Sequence, residues 1–219
     1  MADLTLYTNP MSRGRIARWM MEEIGEPYET VLLDYGTTMK AADYLAVNPM
    51  GKVPAVKHGD VVVTEGAAIC AYLADAFPQK NLAPPIGDPR RAAYFRWLFF
   101  AAGPVESAVT GKSLGLLAPK EKAAMAGYGT FEDVMNALEY AVREGPYICG
   151  DQFTAADVYV GSQIGWGLQF GTIEKRPAFE TYSARLRQRE AAIRASALDD
   201  ADMAKVTPPQ MPPPSQPAA

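Results

Sequence analysis

The sequence contains few of the side chains on which metal and redox chemistry depend. Its 219 residues include two cysteines and one histidine. Cys70 and Cys149 lie too far apart to form a C-x-x-C motif, which excludes a zinc ribbon and a thioredoxin-type redox pair. The single histidine, His58, excludes a multi-histidine metal site. We therefore expect no metal, and so few cysteines are typical of a reducing compartment.

Positive charge and long apolar runs are also scarce. Lysine and arginine total 21 against 25 acidic residues, which gives a net charge of −4. Because nucleic-acid binding needs a basic face, this balance argues against a nucleic-acid partner. No apolar run reaches the roughly 20 residues that cross a bilayer, and the N-terminal "MADLTLYTNP" lacks the basic and apolar regions of a signal peptide. We expect a cytoplasmic protein with neither nucleic acid nor membrane as a partner.

What the sequence does contain is a regular succession of strand and helix patterns in about its first eighty residues. Alternating apolar residues predict a strand at the N-terminus, and "YETVLL" predicts a second one. Between them, apolar residues spaced i, i+3, i+4 and i+8 predict a helix. A short helix, a hairpin that turns at Gly59-Asp60 and a further helix follow. The order βαβαββα is typical of a thioredoxin-like domain.

The rest of the chain predicts helices alone. The segment 78–89 is rich in proline and glycine, as linkers between domains are. Helices are expected over 90–109, with a kink at Gly103-Pro104, over 119–144, after the capping signature Thr154 to Asp157, and from Pro177 with Ile193 facing inward. The predicted organisation is a thioredoxin-like domain over 1–79, a linker over 80–89, an all-helical domain over 90–204, and a disordered proline-rich tail over 205–219 that includes the P-x-x-P from Pro209 to Pro212.

Four segments, in order, resemble the cytosolic glutathione S-transferases. "NPMSRGRIARWMMEEIGEPYE" is similar to the first-helix region of the serine-type members, notably the plant phi class with its P-x-M-S pattern. "NPMGKVPAV", "TEGAAICAYLA" and "YICGDQFTAADV" resemble three further family motifs. The resemblance implies a thioredoxin-like domain followed by a helical one, glutathione as cosubstrate, and thiolate attack on a small electrophile, as in detoxification. It also implies a homodimer.

Ser12 is the catalytic residue that the resemblance implies. The thiolate is the nucleophile, and lowering a thiol pKa by two units takes about 2.7 kcal/mol. A hydroxyl donating to a charged acceptor contributes about 1.5–3 kcal/mol and a helix N-terminus about 0.3–1 kcal/mol. Ser12 lies where both effects would combine, although a plain N-cap role stays open. Tyr7 is the alternative, because other classes use a tyrosine near the end of the first strand; its plain role is strand packing. Arg13 and Arg15 would add positive potential, although Arg13 could instead be solvated and Arg15 structural.

The resemblance also implies which residues bind the peptide. Val53, before an expected cis-Pro54, offers its backbone to the cysteinyl unit of glutathione, although a proline that merely opens a strand stays open. Lys40 and Lys52 fall where relatives contact the glycyl carboxylate, although both could be ordinary surface lysines.

Glu65 and Gly66 fall at the γ-glutamyl position of the family. Gly66 replaces the serine of relatives, which predicts weaker affinity, while its N–H and the helix dipole remain. Glu65 could instead be a first-turn acid that the helix dipole favours.

Aromatic residues of the helical half are candidates for the wall of the electrophile site, facing Met11. Aromatics at helical spacing also fit a core, so that alternative stays open. The candidate wall residues are Met11, Tyr94, Trp97, Phe99, Phe100 and Trp166.

Two other functions also remain open. One is a glutathione-binding module without turnover, which Gly66 favours and the intact "PMSRGR" opposes. The other is glutathione-dependent disulfide or peroxide reduction without an enzyme cysteine.

Overall fold

A four-stranded mixed sheet organises the N-terminal third of the chain. The structure is a computed structural model that describes residues 3–208. The strand order is β2-β1-β3-β4, with β1 parallel to β2 and antiparallel to β3, and with β3 and β4 joined as a hairpin. Gly59 turns that hairpin with φ +57°, a conformation that glycine adopts at little cost. The strands are β1 (Leu4–Thr8), β2 (Tyr28–Leu32), β3 (Ala55–His58) and β4 (Val61–Thr64).

Helices cover the two faces of this sheet unequally. Alternate residues of β1, Leu4 and Leu6, are buried in the main core with α1 and α3. The opposite face carries a smaller apolar cluster around Met39, Tyr44 and Ala55. The helices of this half are α1 (Gly14–Ile24), α2 (Ala42–Leu45) and α3 (Gly66–Ala76), so the order is the predicted βαβαββα.

The remaining described residues form a helical half. From residue 78 to 208 the structure contains no strand, apart from isolated bridges around 147–152. The long helix α7 is buried along most of its length and packs on α1, α3, α4 and α8. The predicted fold class, a thioredoxin-like domain followed by a helical one, is confirmed. The helices are α4 (Arg90–Phe100), α5 (Glu106–Ser113), α6 (Phe131–Arg143), α7 (Ala155–Phe170), α8 (Pro177–Leu186) and α9 (Glu190–Asp202).

Two predicted helices differ from the observed ones. The helix expected over 119–144 begins only at α6. Gly129 has φ +68°, which an α-helix does not allow, and Thr130 then caps α6 together with Asp133. The last helix breaks after α8 and restarts as α9, which changes its phase. Ile193 is therefore 55% exposed, and the prediction that it faces inward is wrong. The expected kink at Gly103-Pro104 lies in a π-helical turn, Ala101–Val105.

The two halves are joined at several points. In the predicted linker, Leu82 is buried and its carbonyl accepts a hydrogen bond from the Ala155 N–H at 2.7 Å. At the other end, the Thr207 N–H donates to Asp34 at 2.8 Å, so Thr207, in the predicted tail, contacts the N-terminal half. Residues 209–219, with the P-x-x-P, lie outside the described residues. The predicted limits of the two domains, the linker and the tail stay predictions. Within residues 3–208, no helix has the length and apolar character needed to cross a membrane.

Candidate active site

Two cavities adjoin at the start of α1. The first, of about 440 Å³, lies between the start of α1, the loop before β3 and the start of α3. The second, of about 740 Å³, lies between the start of α1 and the helical half. Within residues 3–208, the cavities share Ser12, Arg13 and Tyr35. A molecule in one cavity can therefore meet a molecule in the other beside these side chains.

The first cavity brings together residues that the sequence analysis selected from separate segments. They come from the start of α1, the turn after β2, the loop before β3 and the start of α3. The selected residues that line it are Ser12, Lys40, Lys52, Val53, Pro54, Glu65 and Gly66.

Ser12 lies just before α1, at the junction of the cavities. Its Oγ accepts a hydrogen bond from the Gly14 N–H at 2.9 Å and donates one to the Asn9 carbonyl at 2.6 Å. Rotation of the hydroxyl would redirect its proton into the cavity while Oγ still accepts from Gly14. A Cβ at Gly14 would lie 2.0 Å from Thr8 Oγ1, so glycine lets α1 begin directly against the end of β1. The N-cap position of α1 is Arg13 and not Ser12, and the bond that Ser12 accepts from Gly14 leaves its hydroxyl proton free for a ligand.

Tyr7 lies elsewhere. It is on β1, and its ring contacts that of Tyr44 with centroids 5.6 Å apart. It packs on the smaller apolar cluster of the sheet. Among the described residues, it is not part of the lining of either cavity. The structure therefore separates Tyr7 from the junction at Ser12.

The loop before β3 is held by hydrogen bonds that leave its edge facing the first cavity. The Val53–Pro54 peptide is cis, as the resemblance implies. The Lys52 carbonyl accepts hydrogen bonds from Tyr44 Oη at 2.6 Å and from Asn48 Nδ2 at 2.7 Å. Burial raises the pKa of Tyr44 to about 12, which keeps its phenol protonated as a donor.

The start of α3 carries an unusual backbone conformation. Glu65 has φ 66° and ψ 117°, in the left-handed half of φ space, where a residue other than glycine costs about 1–3 kcal/mol. Its side chain makes no capping bond to the helix, and the first residues of α3, Gly66 and Ala67, line the first cavity. A Cβ at Gly66 would lie 3.0 Å from Cε2 of Tyr159, a residue of α7. The ring of Tyr159 would have to shift slightly to admit a side chain at this position.

A polar bridge crosses between the two halves beside Ser12. Glu106, the first residue of α5, forms a two-pronged ion pair with Arg13. It also accepts from Gln163 Nε2 at 3.1 Å and from Thr110 Oγ1 at 3.2 Å. Both members of the ion pair line the first cavity. Arg13 is thereby held at the junction.

Sequence reasoning missed several residues of this region. Glu106, Tyr159, Gln163 and Tyr35 come from segments without a recognisable motif role. The one available signal was Gly103-Pro104, because the π-helical turn there precedes Glu106, and such turns are frequent at functional sites.

The predicted wall of the electrophile site is only partly assembled. Met11 and Trp166 line the second cavity. Tyr94 and Trp97 are buried in the core, and Phe100 packs against that core. Within residues 3–208, the second cavity's lining includes none of these three. Helical spacing marks an apolar face but does not distinguish a core from a pocket.

The second cavity has a mixed lining. Leu114 and Phe170 are large apolar residues that remain mostly exposed at it, 64% and 72% respectively. Phe99, also 72% exposed, is absent from its lining within the described part of the chain. Exposed apolar side chains at a cavity suit an apolar ligand.

The chain's cysteines offer no nucleophile to either cavity. Burial raises the pKa of Cys149 to about 11, and burial raises that of Cys70 further. The described residues contain no group of three or more side chains suited to hold a metal ion.

Known proteins resemble this chain in sequence and in fold. The family model "Glutathione S-transferase, N-terminal domain" matches residues 2–75. Glutathione S-transferase GstB of Escherichia coli K12 is 30% identical over 182 residues, which cover 78% of this chain and 86% of the relative. A glutathione transferase from Methylococcus capsulatus superposes with a TM-score of 0.76 at 29% identity, over 90% of this chain and 99% of the other. A glutathione transferase homologue from Sulfitobacter, solved with bound glutathione, gives 0.71 at 27% identity, over 93% and 100%.

Proposed function

Because the chain belongs to the glutathione S-transferase family, we propose that it conjugates the thiolate of glutathione to an electrophilic small molecule. Glutathione occupies the first cavity and the electrophile the second. The observation that supports this most directly is that all seven residues selected for glutathione line one cavity, which meets a larger one at Ser12. The two reactants would then meet at the residue proposed to activate the sulfur.

The charges of the first cavity suit a zwitterionic tripeptide. Glutathione carries two carboxylates and one ammonium. Lys40 and Lys52 suit the glycyl carboxylate as point charges. The N-terminus of α3, at Gly66, suits the γ-glutamyl carboxylate, and Glu65 supplies an acid for the ammonium. The Val53 backbone, before the cis-proline, is available to pair with the cysteinyl unit.

Ser12 activates the thiol in this proposal. Its hydroxyl turns from the Asn9 carbonyl toward the sulfur and donates to the thiolate, which favours the ionised form. Arg13, fixed by Glu106, adds positive potential at the same junction. Since no general base is needed, the thiol proton passes to water. Tyr7, packed on Tyr44, is the weaker candidate.

We further propose that the protein acts in the cytoplasm as a homodimer, as the family resemblance implies. Two exposed apolar features support an association surface. The edge strand β4 exposes Val61 and Val62, and α4 exposes Phe95 and Phe99. An uncovered edge strand and exposed apolar side chains are both typical of association surfaces.

A comparison of substrates tests the proposed activity. We expect the purified chain to accelerate thioether formation between glutathione and a nitrated aryl chloride. Mass spectrometry of the thioether product measures this rate. Glutathione binding without turnover would instead favour a binding module. Turnover of a glutathione-reducible disulfide, without thioether formation, would favour a reductase.

A further inference from the structure

Tyr35 lies at the junction of the two cavities, together with Ser12 and Arg13. The proposed function assigns Ser12 to the sulfur of glutathione and gives Arg13 a fixed charge. It gives the phenol of Tyr35 no role. A hydroxyl at the meeting point of two reactants is available for the second reactant.

The position of the phenol indicates which reactant it serves. Its Oη donates to the Met11 carbonyl at 3.3 Å. Met11 belongs to the lining of the second cavity. The phenol of Tyr35 thus lies against Met11, on the side where the electrophile would bind, with the Ser12 hydroxyl nearby. At 3.3 Å the bond to Met11 is long, so a ligand oxygen can replace it at little cost.

The loop that carries Tyr35 is anchored at its base. The Asp34 N–H donates to Thr38 Oγ1 at 2.7 Å, and the Met39 N–H donates to the Asp34 carbonyl at 3.2 Å. The Asp34 carboxylate accepts from the Thr207 N–H at 2.8 Å. The phenol itself is partly open, since Tyr35 is 39% exposed. A fixed backbone with a partly open side chain suits a residue that meets a ligand.

The protonation state of Tyr35 suits a donor. Burial raises the pKa of Tyr35 above its ordinary value, more than the Ser12 hydroxyl and the Arg13 guanidinium lower it. The phenol is therefore protonated at neutral pH.

Resting on the proposed function, we propose that Tyr35 is a catalytic residue that donates a hydrogen bond to an oxygen of the electrophile as that oxygen gains negative charge. The electrophiles whose addition this hydrogen bond would accelerate are α,β-unsaturated carbonyl compounds. The sulfur's electron pair forms the new C–S bond, and the C=C pair moves so that the carbonyl oxygen becomes an enolate oxygen. Tyr35 stabilises this oxyanion. The enolate carbon then takes a proton from water, which balances the proton that the thiol released.

Two electrophiles that share a phenyl ring separate this role from general damage. Benzylideneacetone places charge on a carbonyl oxygen, whereas benzyl chloride releases chloride and has no acceptor oxygen. In Tyr35→Phe we expect kcat/KM for benzylideneacetone to fall about tenfold to a hundredfold. The value for benzyl chloride should change by less than about twofold. Tyr140→Phe is the matched control, because Tyr140 is 54% exposed on α6 and lies outside the described lining of both cavities.

A second readout separates the electrophile from the sulfur. The thiol pKa of bound glutathione should be the same in wild type and Tyr35→Phe. Equal losses with both electrophiles, or a raised thiol pKa in the variant, would overturn the inference while leaving the proposed function intact. Wild type that binds glutathione but turns over neither compound would overturn the proposed function, and this inference with it.

Discussion

Side-chain contacts at the residue scale explain a departure from the family pattern. A Cβ at Gly66, where relatives carry a serine after the acid, would lie 3.0 Å from Cε2 of Tyr159. Because such a contact is tighter than ordinary packing, the ring must move slightly to admit any side chain. Glycine at this position thus fits the close approach of Tyr159, and its N–H stays at the start of α3.

Gly66→Ser and Gly66→Ala separate the steric effect from the hydroxyl. Both variants add the same Cβ against Tyr159, but only serine can donate to the γ-glutamyl carboxylate. We expect Gly66→Ser to bind glutathione about threefold to tenfold more tightly than Gly66→Ala, which is the yield of one modest hydrogen bond. Isothermal titration calorimetry measures both constants. Equal affinities would contradict the γ-glutamyl assignment at the start of α3.

The residues that could be predicted from the sequence are those in contiguous motifs. Ser12, Val53, Pro54 and Glu65 each follow from a local pattern, and one cavity collects them. Tyr35, Glu106 and Tyr159 could not be found in this way, because their position at the cavities arises from contacts between distant segments.

The aromatic residues of α4 show the same limit. Tyr94 and Trp97 share an apolar face, and the packing of α7 against α4 makes this face part of the core. The helical register predicted for Ile193 was also wrong, because α8 ends at Leu186 and α9 begins at Glu190 with a different orientation of its apolar face. Ile193 is therefore exposed.

At the scale of elements, a buried charge cluster docks α9 on α1. Arg18 Nε lies 2.8 Å from Asp199 Oδ1, and Arg18 Nη2 lies 2.7 Å from Asp202 Oδ2. One guanidinium thus faces two carboxylates, with Arg15 nearby. Burial raises the pKa of Asp199 to about 6, against the lowering influence of Arg18 and Arg15. The folded protein therefore holds the Asp199 proton more tightly than the unfolded chain does.

This difference makes stability depend on pH. An unfolded aspartate titrates near pH 3.9, so the stabilisation from the bound proton is complete below that pH and is lost as pH rises toward 6. In Asp199→Asn this dependence disappears. We expect the free energy of unfolding of wild type, relative to Asp199→Asn, to decrease by about 2–3 kcal/mol between pH 4 and pH 7. Urea unfolding at both pH values measures it, and a constant difference would contradict the assignment.

At the scale of the whole molecule, association is the property to test. The exposed Phe99 and the β4 edge predict a dimer, so the mass from light scattering should be twice that of the monomer. Phe99→Asp places a charge on the exposed face of α4 and should shift the equilibrium toward monomer. Ile86→Asp is a matched control, because Ile86 is 92% exposed and lies outside α4 and β4. A wild-type monomer would contradict the proposal, as would dissociation by both variants.

The central claim is that a hydroxyl at the junction of the two cavities ionises the sulfur of glutathione. The most direct test is the ultraviolet absorbance of the thiolate when glutathione is titrated into wild type, Ser12→Ala and Tyr7→Phe. We expect the bound thiol pKa to be well below that of free glutathione in wild type and in Tyr7→Phe. It should rise by about 1–2 units in Ser12→Ala. A pKa that is unchanged in Ser12→Ala and raised in Tyr7→Phe would contradict the account and transfer the role to Tyr7.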